Sequence, residues 1–168
     1  MEKTTILGVL NGDITKISAD VIVNSANSSL FPGTGLDALI HEKAGESLLE
    51  ECLSLNGCAV GSAKITKGYN LPVRHIIHAV GPKRTTNDRA VLLEGCYREI
   101  LRLAKSLHAK ELTIPAISTG VYGYPKREAA EIAVKTIMEF CEQNDCFSKI
   151  TIVVSDETNL KIYKSLIH

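Results

Sequence analysis

Short runs of consecutive apolar residues alternate along this chain with longer stretches in which apolar positions recur every three or four residues. The short runs are rich in β-branched and aliphatic residues and predict strands over residues 4–10, 19–23, 63–66, 75–80, 112–116 and 150–154. The longer stretches predict helices over residues 36–42, 46–55, 89–107, 126–141 and 157–166. The third of these is strongly amphipathic, with Leu92, Leu93, Cys96, Ile100, Leu103 and Leu107 on one face. A turn-like segment at residues 68–72 separates the third and fourth strands. Pro125 falls near the first turn of the fourth helix, where its missing N–H costs nothing. Strands that alternate with helices imply a mostly parallel sheet covered by helices on both faces.

Composition narrows this without changing it. A chain of 168 residues fits one domain spanning 1–168. Its 45% apolar and 23% charged residues are those of a globular protein, which excludes disorder and fibrous repeats. Nineteen Lys and Arg balance nineteen Asp and Glu. A nucleic-acid partner is therefore not expected, because neutralising phosphates needs a basic excess. No apolar stretch approaches the ~18 residues of a membrane span, and the polar first residues show no secretory signal. The five cysteines form no CxxC pair, so no zinc site is expected. Reduced thiols fit a cytoplasmic or nucleo-cytoplasmic protein that is not secreted. Nothing in the sequence demands more than a monomer.

In open α/β sheets ligands bind beyond the carboxyl ends of the strands. Three such junctions carry candidate chemistry: residues 11–15, 24–37 and 115–125. The second and third are glycine-rich and each leads into a helix. Glycine lets the backbone approach a ligand closely, and the helix N-terminus offers unpaired N–H groups and a positive dipole end. Two such loops facing each other would clamp a pyrophosphate. Neither has the GxxxxGK[ST] or GxGxxG pattern, and each glycine cluster alone also fits simple turn chemistry. Ser118 has no His–Asp arrangement around it, which argues against a serine hydrolase. His78, within a strand, reads as structural, and Lys64 and Lys67 read as solvated charges.

The same loops carry a resemblance. The blocks Gly12-Asp13-Ile14-Thr15, Val21-Ile22-Val23-Asn24-Ser25-Ala26-Asn27 and Gly35-Leu36-Asp37-Ala38-Leu39-Ile40-His41 are similar to those of the macrodomain family of ADP-ribose-binding modules. So are residues 61–72, Ile76-Ile77-His78-Ala79-Val80-Gly81-Pro82 and residues 115–125, in the family's order over nearly the whole chain. The similarity is strongest to the MacroD type, which removes ADP-ribose from protein side chains. The resemblance implies a three-layer α/β/α sandwich with a mixed, mostly parallel central sheet. It also implies ADP-ribose and mono-ADP-ribosylated proteins as partners, with no metal or cofactor. The implied activity is hydrolysis of mono-ADP-ribose from modified acidic side chains, together with O-acetyl-ADP-ribose deacetylation.

Residue by residue, the resemblance places Asp13 at the adenine amino group, with the Ile14 backbone beside it. A carboxylate suits that task because it only accepts hydrogen bonds. Asp13 also reads as a turn aspartate after Asn-Gly. Asn27 corresponds to the asparagine on the distal ribose, and Asn24 to a brace for the loop; both also read as Asx-turn residues. Asp37 corresponds to the carboxylate that orients or activates a water near the anomeric carbon, and it reads equally as a helix N-cap. His41, one turn on, either orients Asp37 or is a satisfied core histidine. Gly33, Thr34 and Gly35, with Ser118, Thr119, Gly120, Val121 and Tyr122, correspond to the pyrophosphate clamp, and Tyr122 also to a contact with the distal ribose. Two departures stand out. Pro32 and Thr34 occupy a stretch that is a glycine run in the family's hydrolases, which stiffens the loop and favours a non-catalytic or slow ADP-ribose reader as the alternative. Ser155 stands where many members stack an aromatic on the adenine, a contact worth on the order of 1 kcal/mol. A shift to another nucleotide or to an RNA ligand is a third, weaker reading, and the neutral charge argues against RNA.

Overall fold

The computed structural model describes residues 5–167; Thr4, where the first strand was expected to begin, lies outside them. The strands are β1 (Ile6–Asn11), β2 (Val21–Ala26), β3 (Ala63–Lys67), β4 (His75–Val80), β5 (Glu111–Pro115) and β6 (Lys149–Val154). The helices are α1 (Leu36–Ala44), α2 (Glu46–Ser54), α3 (Arg89–Ser106), α4 (Lys126–Gln143) and α5 (Glu157–Leu166), and a 3-10 turn over Ile14–Lys16 follows β1. The strands form one six-stranded sheet in the order β1-β6-β5-β2-β4-β3. Every neighbouring pair is parallel except β3 and β4, which are antiparallel. No helix among the described residues is long and apolar enough to cross a membrane.

The sheet is covered on both faces, and its strands show why. Successive side chains in a strand point to opposite faces. In β2, Val21 and Val23 join a core with Leu93, Ile100, Ala133 and Ile137 from α3 and α4. Ile22 and Ala26 join the opposite core with Ile40, Ala44 and Leu48 from α1 and α2. The architecture is thus a three-layer α/β/α sandwich with a mixed, mostly parallel sheet.

Four local expectations are corrected. The second strand begins at Val21 and runs on through Asn24, Ser25 and Ala26. The polar Asn24 and Ser25 look like a loop in sequence, yet Asn24 is fully buried and pairs in register with His78 of β4. Asp20, expected inside that strand, sits just before it and accepts hydrogen bonds from the Lys110 and Glu111 amides (2.7 and 2.9 Å). The buried stripe of α3 is Leu93, Cys96, Tyr97, Ile100, Leu101 and Ala104, rotated from the expected face so that Leu92, Leu103 and Leu107 lie at its margin. Lys64 is not freely solvated: its Nζ donates to the Leu55 carbonyl at 2.7 Å.

Candidate functional site

The carboxyl ends of β1, β6, β5 and β2 open into a cavity of about 810 Å³, within the size range of small-molecule sites. The loop after β1 contributes Asp13 and Ile14, the loop before α1 contributes Asn27, Gly33, Thr34 and Gly35, and the first turn of α1 contributes Asp37. The β5–α4 loop contributes Ser118, Thr119, Gly120, Val121 and Tyr122, and the end of β6 contributes Ser155. Asn24 and His41, expected at the site, do not line this cavity; they lie behind its wall. Three inter-strand steps separate β1 from β2, so the Asp13 and Asp37 ends stand about 14 Å apart at ~4.8 Å per step.

At the first end, Asp13 caps the 3-10 turn. Its Oδ1 accepts from the Thr15 amide (2.9 Å) and the Thr15 hydroxyl (2.6 Å). The hydroxyl bond is the main reason its acidity is raised, holding the carboxyl below the usual carboxylate range. The turn reading of Asp13 is realised through one oxygen, and the residue also lines the cavity.

Between the ends lie two loops with spare donors. The β5–α4 loop closes on itself through Gly123 N to Gly120 O (3.0 Å) and Tyr124 N to Ser118 O (2.9 Å). This leaves the amides of Gly120, Val121 and Tyr122 without an acceptor among the described residues. The loop needs left-handed backbone at Ser118 (φ 69°) and Gly123 (φ 67°). Ser118 is packed against Gly81, where any side chain would collide with the Ser118 Oγ and with Ile117. Across the cavity, Gly35 precedes α1 with φ 59° and ψ −128°, a conformation restricted to glycine. The first amides of α1 have no intrahelical partner, as at every helix start, so the helix aims donors and its positive end outward. Thr34 is not at positive φ. Its β-branch therefore strains nothing, and Pro32 does not line the cavity.

At the second end, Asp37 sits in the first turn of α1 but does not cap it; the cap position is Gly35, with no side-chain bond. The carboxylate is 5% exposed. Its Oδ1 accepts from Asn24 Nδ2 at 2.8 Å and its Oδ2 from the Gly33 amide at 3.0 Å. Burial raises its pKa above the usual carboxylate range, outweighing these two bonds and the nearby His41. His41 Nε2 lies 3.4 Å from Asp37 Oδ1, and burial lowers the pKa of its imidazole.

A buried relay stands behind Asp37. Asn24 Nδ2 is also 3.2 Å from His78 Nδ1, and His78 Nε2 is 2.9 Å from Thr66 Oγ1, whose hydroxyl donates to the Lys67 carbonyl at 3.1 Å. Because the Thr66 proton is used on that carbonyl, Thr66 accepts from His78 Nε2–H. The His78 Nδ1 then accepts one Asn24 N–H, and the other goes to Asp37. Burial, with the neighbouring His41, pushes the His78 pKa down to about 3, which keeps the ring neutral as this chain of bonds requires.

Asn27 makes the Asx turn that its sequence allows. Its Oδ1 accepts from the Ser29 amide (3.1 Å) and hydroxyl (2.6 Å), and its Nδ2 donates to the Phe31 carbonyl (3.1 Å). It also lines the cavity, and Gly33 fits so closely between it and Asp37 that a Cβ there would lie 3.1 Å from each. Sequence reasoning missed Asp156 and Asn159. Asp156 caps α5 by accepting from the Asn159 amide at 2.7 Å. Asn159 Nδ2 then reaches Thr119 Oγ1 at 3.4 Å, joining α5 to the β5–α4 loop, and both residues line the cavity. Their signal was the polar strand-to-helix junction after β6, of the same kind as the junctions that were singled out.

Comparisons with known proteins agree with this geometry. The Macro domain family model matches residues 23–133. The O-acetyl-ADP-ribose deacetylase of Escherichia fergusonii is 45% identical over 165 residues, covering 95% of this chain and 93% of that protein. The ADP-ribose glycohydrolase MACROD1 of Rattus norvegicus is 43% identical over 162 residues, covering 94% of this chain and 63% of that protein. Among solved structures, the Trypanosoma brucei macrodomain in complex with ADP-ribose superposes with a TM-score of 0.92 at 36% identity, covering 96% of this chain and 69% of that one. With the family model matching residues 23–133 and relatives 43–45% identical along nearly its whole length, this chain belongs to the macro domain family.

Proposed function

We propose that this protein binds ADP-ribose and hydrolyses mono-ADP-ribose from acidic side chains of proteins, and that it also deacetylates O-acetyl-ADP-ribose. The observation that carries the reading is the placement of a buried carboxylate, Asp37, at one end of a cavity whose middle is lined by unpartnered backbone amides. The similar proteins named as an ADP-ribose glycohydrolase and an O-acetyl-ADP-ribose deacetylase support it.

In this reading the adenine lies at Asp13 and Ile14, and the pyrophosphate on the amides of Gly120, Val121 and Tyr122 and the first turn of α1. The distal ribose rests against Asn27, Gly33 and Tyr122. Backbone donors suit a doubly charged pyrophosphate because they are fixed in place and cost no reorganisation. Asp37 orients a water toward the anomeric carbon and takes its proton. The water oxygen bonds to that carbon as the bond to the ester oxygen breaks. The products are ADP-ribose and a free carboxyl group on the protein. A carboxylate is a stable leaving group, so no general acid is required on that side. Asn24, His78 and His41 act through Asp37 and touch no substrate. In this reading the protein works as a monomer in the cytoplasm.

The reader alternative rested on Pro32, which does not line the cavity, and on Thr34, which is not at positive φ. The test is multiple-turnover release of ADP-ribose from a protein modified on Asp or Glu. Release well beyond one equivalent per protein is the expected result. Binding of ADP-ribose without release would make the chain a reader.

A further inference from the structure

A second cavity, of about 420 Å³, opens at the Asp37 end of the first and shares Asn27 and Tyr122 with it. Ser29, Val60, Lys83 and Thr86 are among its other walls. Among the described residues, Lys83 is the only charged one lining it, and no carboxylate does. The ammonium lies 5.5 Å from the centre of the Tyr122 ring. The turn bearing Lys83 is closed by reciprocal bonds, the Lys83 amide to Thr86 Oγ1 and the Thr86 amide to the Lys83 carbonyl, both 3.0 Å. The next residue pins that turn to the β5–α4 loop through Arg84 N to Tyr122 O at 3.0 Å. The backbone that carries the cation is therefore fixed beside the reacting end of the main cavity, and the ammonium has no carboxylate partner among the described residues.

We propose that this second cavity is the acceptor-side subsite: it receives the protein segment that carries the ADP-ribose, and Lys83 selects segments with another carboxylate beside the modified residue. The inference rests on the hydrolase reading above, which sets the distal ribose against Asn27 and Asp37. A ligand laid that way projects its anomeric substituent out of the main cavity at the shared wall of Asn27 and Tyr122. The second cavity begins there, and it is on the opposite side from Asp13. The small acyl group of O-acetyl-ADP-ribose would leave it largely empty, whereas a peptide would fill it. A lone lysine amid neutral residues favours an acidic segment and disfavours a basic one, because unlike charges there attract and like charges repel at short range.

The test uses two synthetic peptides that carry ADP-ribose through a non-hydrolysable isostere of the glutamyl ester, one flanked by Asp and Glu and the other by Lys. Each is titrated, alongside free ADP-ribose, into the wild-type protein and into the variants Lys83→Glu and Val60→Trp. Val60 is exposed and lines the second cavity, so a larger side chain there intrudes on that cavity without entering the core. Wild type is expected to prefer the acid-flanked conjugate by roughly tenfold, and Lys83→Glu to invert that order. Val60→Trp is expected to weaken both conjugates by roughly tenfold while free ADP-ribose stays within about twofold. Conjugates that bind every variant alike would overturn the subsite, as would a Val60→Trp loss shared equally by free ADP-ribose. If free ADP-ribose does not bind wild type at all, the reading beneath falls, and the subsite with it.

Discussion

At the scale of single residues, the centre of the site is a carboxylate held against its own preference. Burial raises the pKa of Asp37, while Asn24 and Gly33 supply one donor to each oxygen. A base of this kind must be ionised to act, so kcat/KM should fall as pH drops through its raised pKa. The acid limb is therefore expected above the usual carboxylate range. Replacing Asn24 with Ala removes a donor that favours the ionised form, and the limb should move further up. The same change leaves Asp37 less well positioned, and a misplacement of about 1 Å costs on the order of 10²-fold in rate. It also strips a partner from His78, so stability should fall by about 1–3 kcal/mol. A pH profile of kcat/KM with a urea titration of the variant checks both parts. An unshifted limb would place Asn24 outside the mechanism.

At the scale of elements, the site depends on how strands end and loops begin. Gly81, which follows β4, is pressed against Ser118 and Ile117. Gly81→Ala should therefore destabilise the fold by about 1–3 kcal/mol and weaken ADP-ribose binding together, because relief must come from displacing Ser118 and Ile117, which belong to the β5–α4 loop. Gly8→Ala, in β1, meets open space and should do neither. Asp20 ties the start of β2 to β5. Burial tends to raise its pKa, but the Glu111 and Lys110 amides and Arg74 outweigh it and the pKa is lowered. A lowered pKa means that the stability Asp20 contributes is present above the usual carboxylate range and lost as pH falls through its folded value. The stability gap between wild type and Asp20→Ala should then be widest near neutrality and close toward acid, as read by urea unfolding across pH. The elements themselves were legible because strands buried on both faces are apolar runs, and the glycine loops stood out between them. What was hidden followed from tertiary context. Asn24 and Ser25 look like loop residues until His78 is seen opposite Asn24. The stripe of α3 could be placed only once Tyr97 was seen to turn inward. Asn159 carries no sequence mark beyond a polar junction, and its reach to Thr119 is a matter of three-dimensional packing.

At the scale of the whole molecule, the proposed mode of binding joins a net charge of zero to backbone donors. Binding that relies on fixed amides within a cavity should depend only weakly on ionic strength, since buried interactions are screened little. Between low salt and physiological salt the affinity for ADP-ribose should change by no more than a few-fold in a titration series. A ligand that binds only the folded state also stabilises it. At one hundred times its dissociation constant, ADP-ribose should add about 2.7 kcal/mol, a rise in Tm of roughly 5–10 °C for a chain of this size. The central claim, however, is that binding and hydrolysis are carried by different parts of one cavity, the amides and Asp37. The most direct measurement compares wild type with Asp37→Ala in two assays, release of ADP-ribose from a protein modified on Asp or Glu and titration with free ADP-ribose. The account predicts that the variant loses turnover entirely and keeps its affinity within a few-fold. Undiminished release by Asp37→Ala would contradict it.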